Sequence, residues 1–191
     1  MHKILVCLGT IGLLLGSSAV QAHGLHGASF MAGLAHPWLG LDHLLALLAM
    51  GVSVASLRVH LRWGSAALLG LALAAGVFSA GVLQLGLNME PLLAASLLVL
   101  ALLCLRQSTS ALVLRLGLLL GFSFLHGWVH GLEVPAQTLL WPFASGVVLA
   151  SLSLFALGMG LGRRYLLRHP KRKAGFGGVL GLAAMGFLFG V

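Results

Sequence analysis

Two short stretches of this 191-residue chain carry side chains able to bind a metal, and each is set in otherwise apolar sequence. The first is His36-Pro37-Trp38-Leu39-Gly40-Leu41-Asp42-His43, which runs on into apolar residues through Gly51. The second is Phe122-Ser123-Phe124-Leu125-His126-Gly127-Trp128-Val129-His130-Gly131-Leu132-Glu133. Imidazole and carboxylate without thiolate suit a divalent zinc, nickel, cobalt or iron ion. His126 and His130 stand at i and i+4, the spacing that lets two imidazoles on one helix face share a metal, and Glu133 follows at i+3 from His130. His36 and His43 are two helical turns apart, so a continuous helix would place both on one face, with Asp42 about 100° away from His43. Plainer readings remain open for each stretch. An Asp42–His43 pair can simply fix helix packing, and His126 and His130 can be interfacial histidines near a helix end.

The elements that must position these groups are membrane helices. Hydrophobic residues make up 60% of the chain and charged residues 7%, and the mean hydropathy is +1.08. Soluble proteins hold about a quarter of their residues as charges, so a water-soluble domain of this composition would expose large apolar patches. Eleven Lys/Arg against three Asp/Glu leave a net charge of +8. Nucleic-acid binding is excluded, because the basic residues sit in short gaps between apolar runs rather than on one basic face. Cys7 and Cys104 offer no disulfide, since one lies in a segment expected to be removed and the other in an apolar run.

Met1-His2-Lys3, the apolar run from Ile4 to Gly16 and the small residues through Val20-Gln21-Ala22 read as a signal peptide over 1–22. Cleavage after Ala22 makes His23 the amino terminus, where α-amine and imidazole can chelate together with His26 nearby; a solvated tail is the alternative. With about 20 apolar residues needed per crossing, residues 23–191 form one all-α transmembrane domain of six spans, near 37–57, 63–86, 91–106, 110–131, 137–162 and 174–191. An uncleaved signal would make seven helices. Pro37 and Pro91 read as first-turn residues, which puts His36 and Glu90 near N-caps. Arg58 and Arg62, Arg106, and the run Arg163 to Lys173 fall in alternate gaps, while 87–90 and 132–136 contain no Lys or Arg. The positive-inside bias therefore places the basic gaps in the cytoplasm and both mature termini in the periplasm. Asp42 and His43 then lie about 9 Å below Pro37, and His126 about 9 Å from its exit near Glu133, at 1.5 Å per residue. Both stretches occupy the outer half of the bilayer. Arg115, in the inner part of its span, is expected to snorkel to the cytoplasmic surface. Gly117 and Gly121, Gly158 and Gly162, Gly177 and Gly181, and Gly186 and Gly190 are spaced for close helix approach, and Gly127 and Gly131 leave room for a neighbouring helix or an ion pathway.

These residues resemble the HupE/UreJ family of nickel or cobalt permeases associated with hydrogenase and urease maturation, over essentially the whole chain. The family's His-Pro-x-x-Gly-x-Asp-His is matched by His36, Pro37, Gly40, Asp42 and His43, and its His-Gly-x-Ala-His-Gly-x-Glu by His126, Gly127, His130, Gly131 and Glu133. Val129 stands where the pattern has alanine. The first stretch is also similar to the His-x4-Asp-His signature of the larger nickel–cobalt transporter family, here with a gap of five residues. The resemblance implies a multi-pass protein of the bacterial inner membrane that carries Ni²⁺ or Co²⁺ as cargo and holds no prosthetic group. Its partners are then the ion, the bilayer and the maturation proteins of hydrogenase or urease. On this reading His36, Asp42, His43, His126, His130 and Glu133 handle the metal, with His23 as a further capture residue. Two other classes stay open. One is an intramembrane metalloenzyme, which would lack a His-Glu-x-x-His arrangement, and the other is an accessory subunit that binds metal without flux.

Overall fold

The computed structural model describes residues 30–82, 89–106, 112–134 and 139–190. The signal peptide expected over 1–22, and His23, lie outside the described residues. Seven α-helices follow one another among them: α1 (Phe30–Leu39), α2 (Leu41–Val54), α3 (Val59–Ser79), α4 (Glu90–Arg106), α5 (Leu112–Leu132), α6 (Leu140–Leu161) and α7 (Pro170–Phe189). A wide π-type turn, Gly162–Leu166, extends α6. Apolar runs without proline beyond the first turn give α3, α5 and α6 the length and hydropathy to cross a bilayer, and α1 with α2 passes the same test as a bent pair. The apolar helix Glu90–Leu105 is shorter. Pro91 and Pro170 stand in first turns, where a missing N–H leaves no bond unmade.

The expected single span over 37–57 is instead two helices bent by 81° at Gly40. Pro37 is an interior residue of α1 rather than its start, and His36 lies in the last turn rather than near an N-cap. Pro37 lacks the N–H that would bond the Gly33 carbonyl, which weakens α1 just before its end. Gly40 then takes an extended conformation, φ −81° and ψ 113°. Its N–H closes α1 on the His36 carbonyl at 3.1 Å, and its carbonyl receives the Leu44 N–H at 2.9 Å to begin α2. A sharp break thus leaves no backbone polar group at Gly40 unsatisfied, which hydrocarbon surroundings require. The second span also differs from expectation: α3 begins at Val59 and ends at Ser79 rather than running from 63 to 86.

The bend is held by α6, which backs both halves. Gly33 of α1 packs on the Phe143 carbonyl and Gly146 of α6 on the Phe30 carbonyl; further along, Gly51 of α2 meets the Phe155 carbonyl and Gly158 of α6 the Leu48 carbonyl. A third crossing joins α3 to α5, where Gly76 meets the Phe124 carbonyl and Gly127 the Leu73 carbonyl, with Gly131 against Val77. The room beside Gly127 and Gly131 is therefore filled by helix α3. Of the glycines spaced four apart, Gly158 and Gly162 face α2, whereas Gly117, Gly121, Gly181 and Gly190 face open space. Helix α2 is central: Leu47, Met50 and Val54 pack with Leu97 and Cys104 of α4, Leu119 of α5, Phe155 of α6 and Leu180 of α7. Arg115 departs from expectation by lying buried, with Nη1 donating to Ser56 Oγ of the α2–α3 turn at 3.3 Å.

A methyl at Gly127 would collide with backbone that cannot rotate away. Gly127→Ala is expected to cost about 1–3 kcal/mol, as overpacking does, whereas Gly121→Ala, which meets nothing within 4 Å, should stay within about 0.5 kcal/mol. Thermal unfolding of the two purified variants in one detergent compares them directly.

Candidate metal centre

His36 arrives from the end of α1, His43 from the first turn of α2, His130 from the last turn of α5, and Glu133 from the turn that follows. One donor atom from each of these four lies within 4.8 Å of the others. Imidazole and carboxylate donors bind zinc, a close analogue of the divalent ions considered, at roughly 2.0–2.2 Å, so four donors set tetrahedrally about one ion stand roughly 3.3–3.6 Å apart. The widest pair would have to close by about an ångström to reach that spacing. The bend at Gly40 makes this proximity possible. Two turns of straight helix separate residues by about 10.5 Å, yet the His36 and His43 rings are 5.6 Å apart between centroids. The His130 ring lies 4.8 Å from that of His36 and 4.4 Å from that of His43.

His43 and His130 are buried, at 4% and 1% exposure, and Nδ1 of each has no hydrogen-bond partner. Buried polar nitrogens without partners are costly, and a metal ion bound through them would remove that cost. Glu133 closes the cluster from its more open side, with Oε2 2.9 Å from His36 Nε2 and 3.6 Å from His130 Nδ1. Burial opposes its charge, but its contacts with His130 and His36 outweigh burial and hold the carboxyl well below the ordinary carboxylate range. A depressed folded value means that the ionised group adds stability fully present above its ordinary value of 4.5 and lost as pH falls through the lower folded value. Wild type is therefore expected to unfold at a higher temperature than Glu133→Gln at neutral pH, with the gap closing only in strong acid, as thermal scans across pH would show.

Asp42 and His126 stand beside this cluster rather than in it. Asp42 Oδ2 is 3.8 Å from His43 Nε2, and the His126 ring lies 5.6 Å from that of His43. His126 Nδ1 donates to the Phe122 carbonyl at 2.8 Å, since the carbonyl can only accept; that bond leaves Nε2 as the free lone pair. Asp42 and His126 line a separate cavity of about 220 Å³ together with Glu90, Leu93, Ala94, Leu97 and Phe187. Glu90 was not among the expected metal-handling residues. Its signal was available, because it is one of only three acids in the chain and all three gather at this end of the bundle.

The family described as HupE / UreJ protein matches residues 11–189. The chain is also 32% identical over 157 residues to Protein HupE of Rhizobium leguminosarum bv. viciae, a match covering 80% of each. No solved structure matches.

Proposed function

The chain belongs to the HupE/UreJ family, and on that footing we propose that it is a divalent-metal permease of the inner membrane, taking up Ni²⁺ or Co²⁺ for the maturation of hydrogenase or urease. The observation that carries this reading is the four-donor cluster of His36, His43, His130 and Glu133, whose donor atoms lie within 4.8 Å of one another. Mixed imidazole and carboxylate ligation without thiolate holds such an ion firmly enough to strip its water and loosely enough to release it. On this reading the chain crosses the bilayer six times, the first time with α1 and α2, so that the cluster and both termini lie on the periplasmic side and 23–191 is the one transmembrane domain.

On this topology the three acids draw cations to the outer mouth. Glu133, half exposed, meets the ion first, His43 and His130 form the buried floor, and Asp42, Glu90 and His126 provide the adjoining polar cavity. Inward from there, Met50, Ser123 and Leu119 are packed into the core, so passage requires the helices to part. A divalent ion entering a cell gains about 4.6 kcal/mol per 100 mV of inside-negative potential, twice the single-charge value, so the potential alone supplies a driving force.

Uptake of labelled Ni²⁺ and Co²⁺ into proteoliposomes, with and without an imposed potential, tests the proposal. Saturable flux in wild type and its loss in Asp42→Asn at equal protein density is the expected outcome. Binding without flux would make the chain an accessory metal-binding subunit, and turnover of a substrate without flux would make it an enzyme.

A further inference from the structure

The other end of the bundle carries a second feature. A cavity of about 1110 Å³ opens between the start of α3 and the end of α6, rimmed by Arg62, Arg163, Arg164 and Arg168 with Trp63 and Tyr165. Its floor is apolar, formed by Leu48 of α2 with Ala156 and Met159 of α6. Among the described residues no carboxylate lines this cavity with the four guanidinium groups. Glu133 pairs with His36 and His130, and Asp42 with His43. Glu90 itself lines the cavity beside Asp42 and His126.

The turn after α6 shapes the rim. Residues five apart stand about 140° apart around an α-helix, which would set Arg163 and Arg168 on different faces. The Leu167 N–H instead bonds the Gly162 carbonyl at 2.9 Å, an i→i+5 closure that narrows this separation. Arg62 and Trp63 reach the same cavity from α3. Arginines that only orient a membrane protein sit in solvated loops. Here arginines of two helices, Arg62 half-buried and Arg163, Arg164 and Arg168 exposed, line one cavity with apolar residues and with two exposed aromatic side chains of the kind that settle at headgroup level.

We propose that this cavity is a binding site for an anionic phospholipid, its phosphate held by Arg62, Arg163, Arg164 and Arg168 and its acyl chains lying along Leu48, Ala156 and Met159. The amphipathic lining selects the lipid over a free anion. Guanidinium groups match phosphate oxygens in bidentate geometry, and basic pockets between helices on the positive side of membrane proteins take such headgroups. A free phosphate would leave the apolar floor uncovered.

Native mass spectrometry of the full-length protein in neutral detergent tests this, with cardiolipin, phosphatidylglycerol and phosphatidylcholine added in turn. The anionic lipids should be retained at least about tenfold more tightly than phosphatidylcholine. Arg62→Gln with Arg164→Gln should lower retention to the phosphatidylcholine level. Arg62→Lys with Arg164→Lys preserves charge and orientation and should fall between that pair and wild type. Lys171→Gln with Lys173→Gln removes equal charge from α7, outside the cavity, and should leave retention within about twofold. Equal losses from the arginine and lysine pairs, retention indifferent to headgroup charge, or displacement of bound lipid by inorganic phosphate would each overturn the proposal.

Discussion

Replacing His130 with alanine is expected to abolish metal flux and to weaken Ni²⁺ binding by more than the roughly 10–100-fold that loss of an outer-shell partner costs. His130 is the donor that holds the cluster together. Its ring is 4.4 Å from that of His43 and 4.8 Å from that of His36, and its Nδ1 faces Glu133 at 3.6 Å. His126→Ala is the informative comparison, because His126 sits on the same face of α5 one turn away, outside the four-donor group. Its loss should weaken binding by no more than the outer-shell range. Calorimetric titration of Ni²⁺ into both variants, together with their thermal unfolding, separates ligation from packing. Equal effects on binding from the two histidines would count against the four-donor assignment, and loss of stability without loss of binding would return both to a structural role.

The second large effect should come from a residue with no donor atom. A Cβ on Gly40 would stand 2.8 Å from Cδ2 of His43 and 3.1 Å from Oδ1 of Asp42. His43 is buried and has little room to withdraw. Gly40→Ala is therefore expected to weaken Ni²⁺ binding about 10–100-fold, as displacement of a supporting group does, while helix content stays the same. The backbone at Gly40, φ −81° and ψ 113°, lies where any residue is comfortable, so glycine is needed there for space and not for conformational freedom. Binding measured beside circular dichroism decides the matter. Unchanged affinity in a folded Gly40→Ala protein would show that His43 is not a ligand in the position described.

Much of this molecule is legible in its residues. A strongly apolar composition dictates membrane helices despite 27 glycines, and Asp42 and Glu133 with their neighbouring histidines mark two stretches as chemical. The first- and second-stretch residues His36, His43, His130 and Glu133 were each identifiable from type and spacing. Helical spacing supplied a wrong reason for one pairing, however. A continuous helix would set His36 and His43 two turns apart on one face, whereas they meet because the helix is broken between them. The same periodicity could not separate His130 from His126, nor place Glu90 beside Asp42.

The glycines show where sequence stops. Spacing of four marked Gly117 and Gly121 as packing positions, and they face open space. The crossings that set the bend use Gly158, which its spacing to Gly162 marked, together with Gly33, Gly51 and Gly146, which that spacing did not mark. Arg115 likewise turned inward to Ser56 because another helix end offered it an acceptor. The sequence by itself determined that the chain is all-helical and apolar, which residues can bind metal, and that acids and arginines fall in different segments. Only the tertiary structure decided which donor side chains lie within 4.8 Å of one another, and that the arginines of two helices line one cavity. The physical reason is that local periodicity fixes which side chains are neighbours on one helix, while the approach of different helices depends on backbone contacts between residues far apart in the chain.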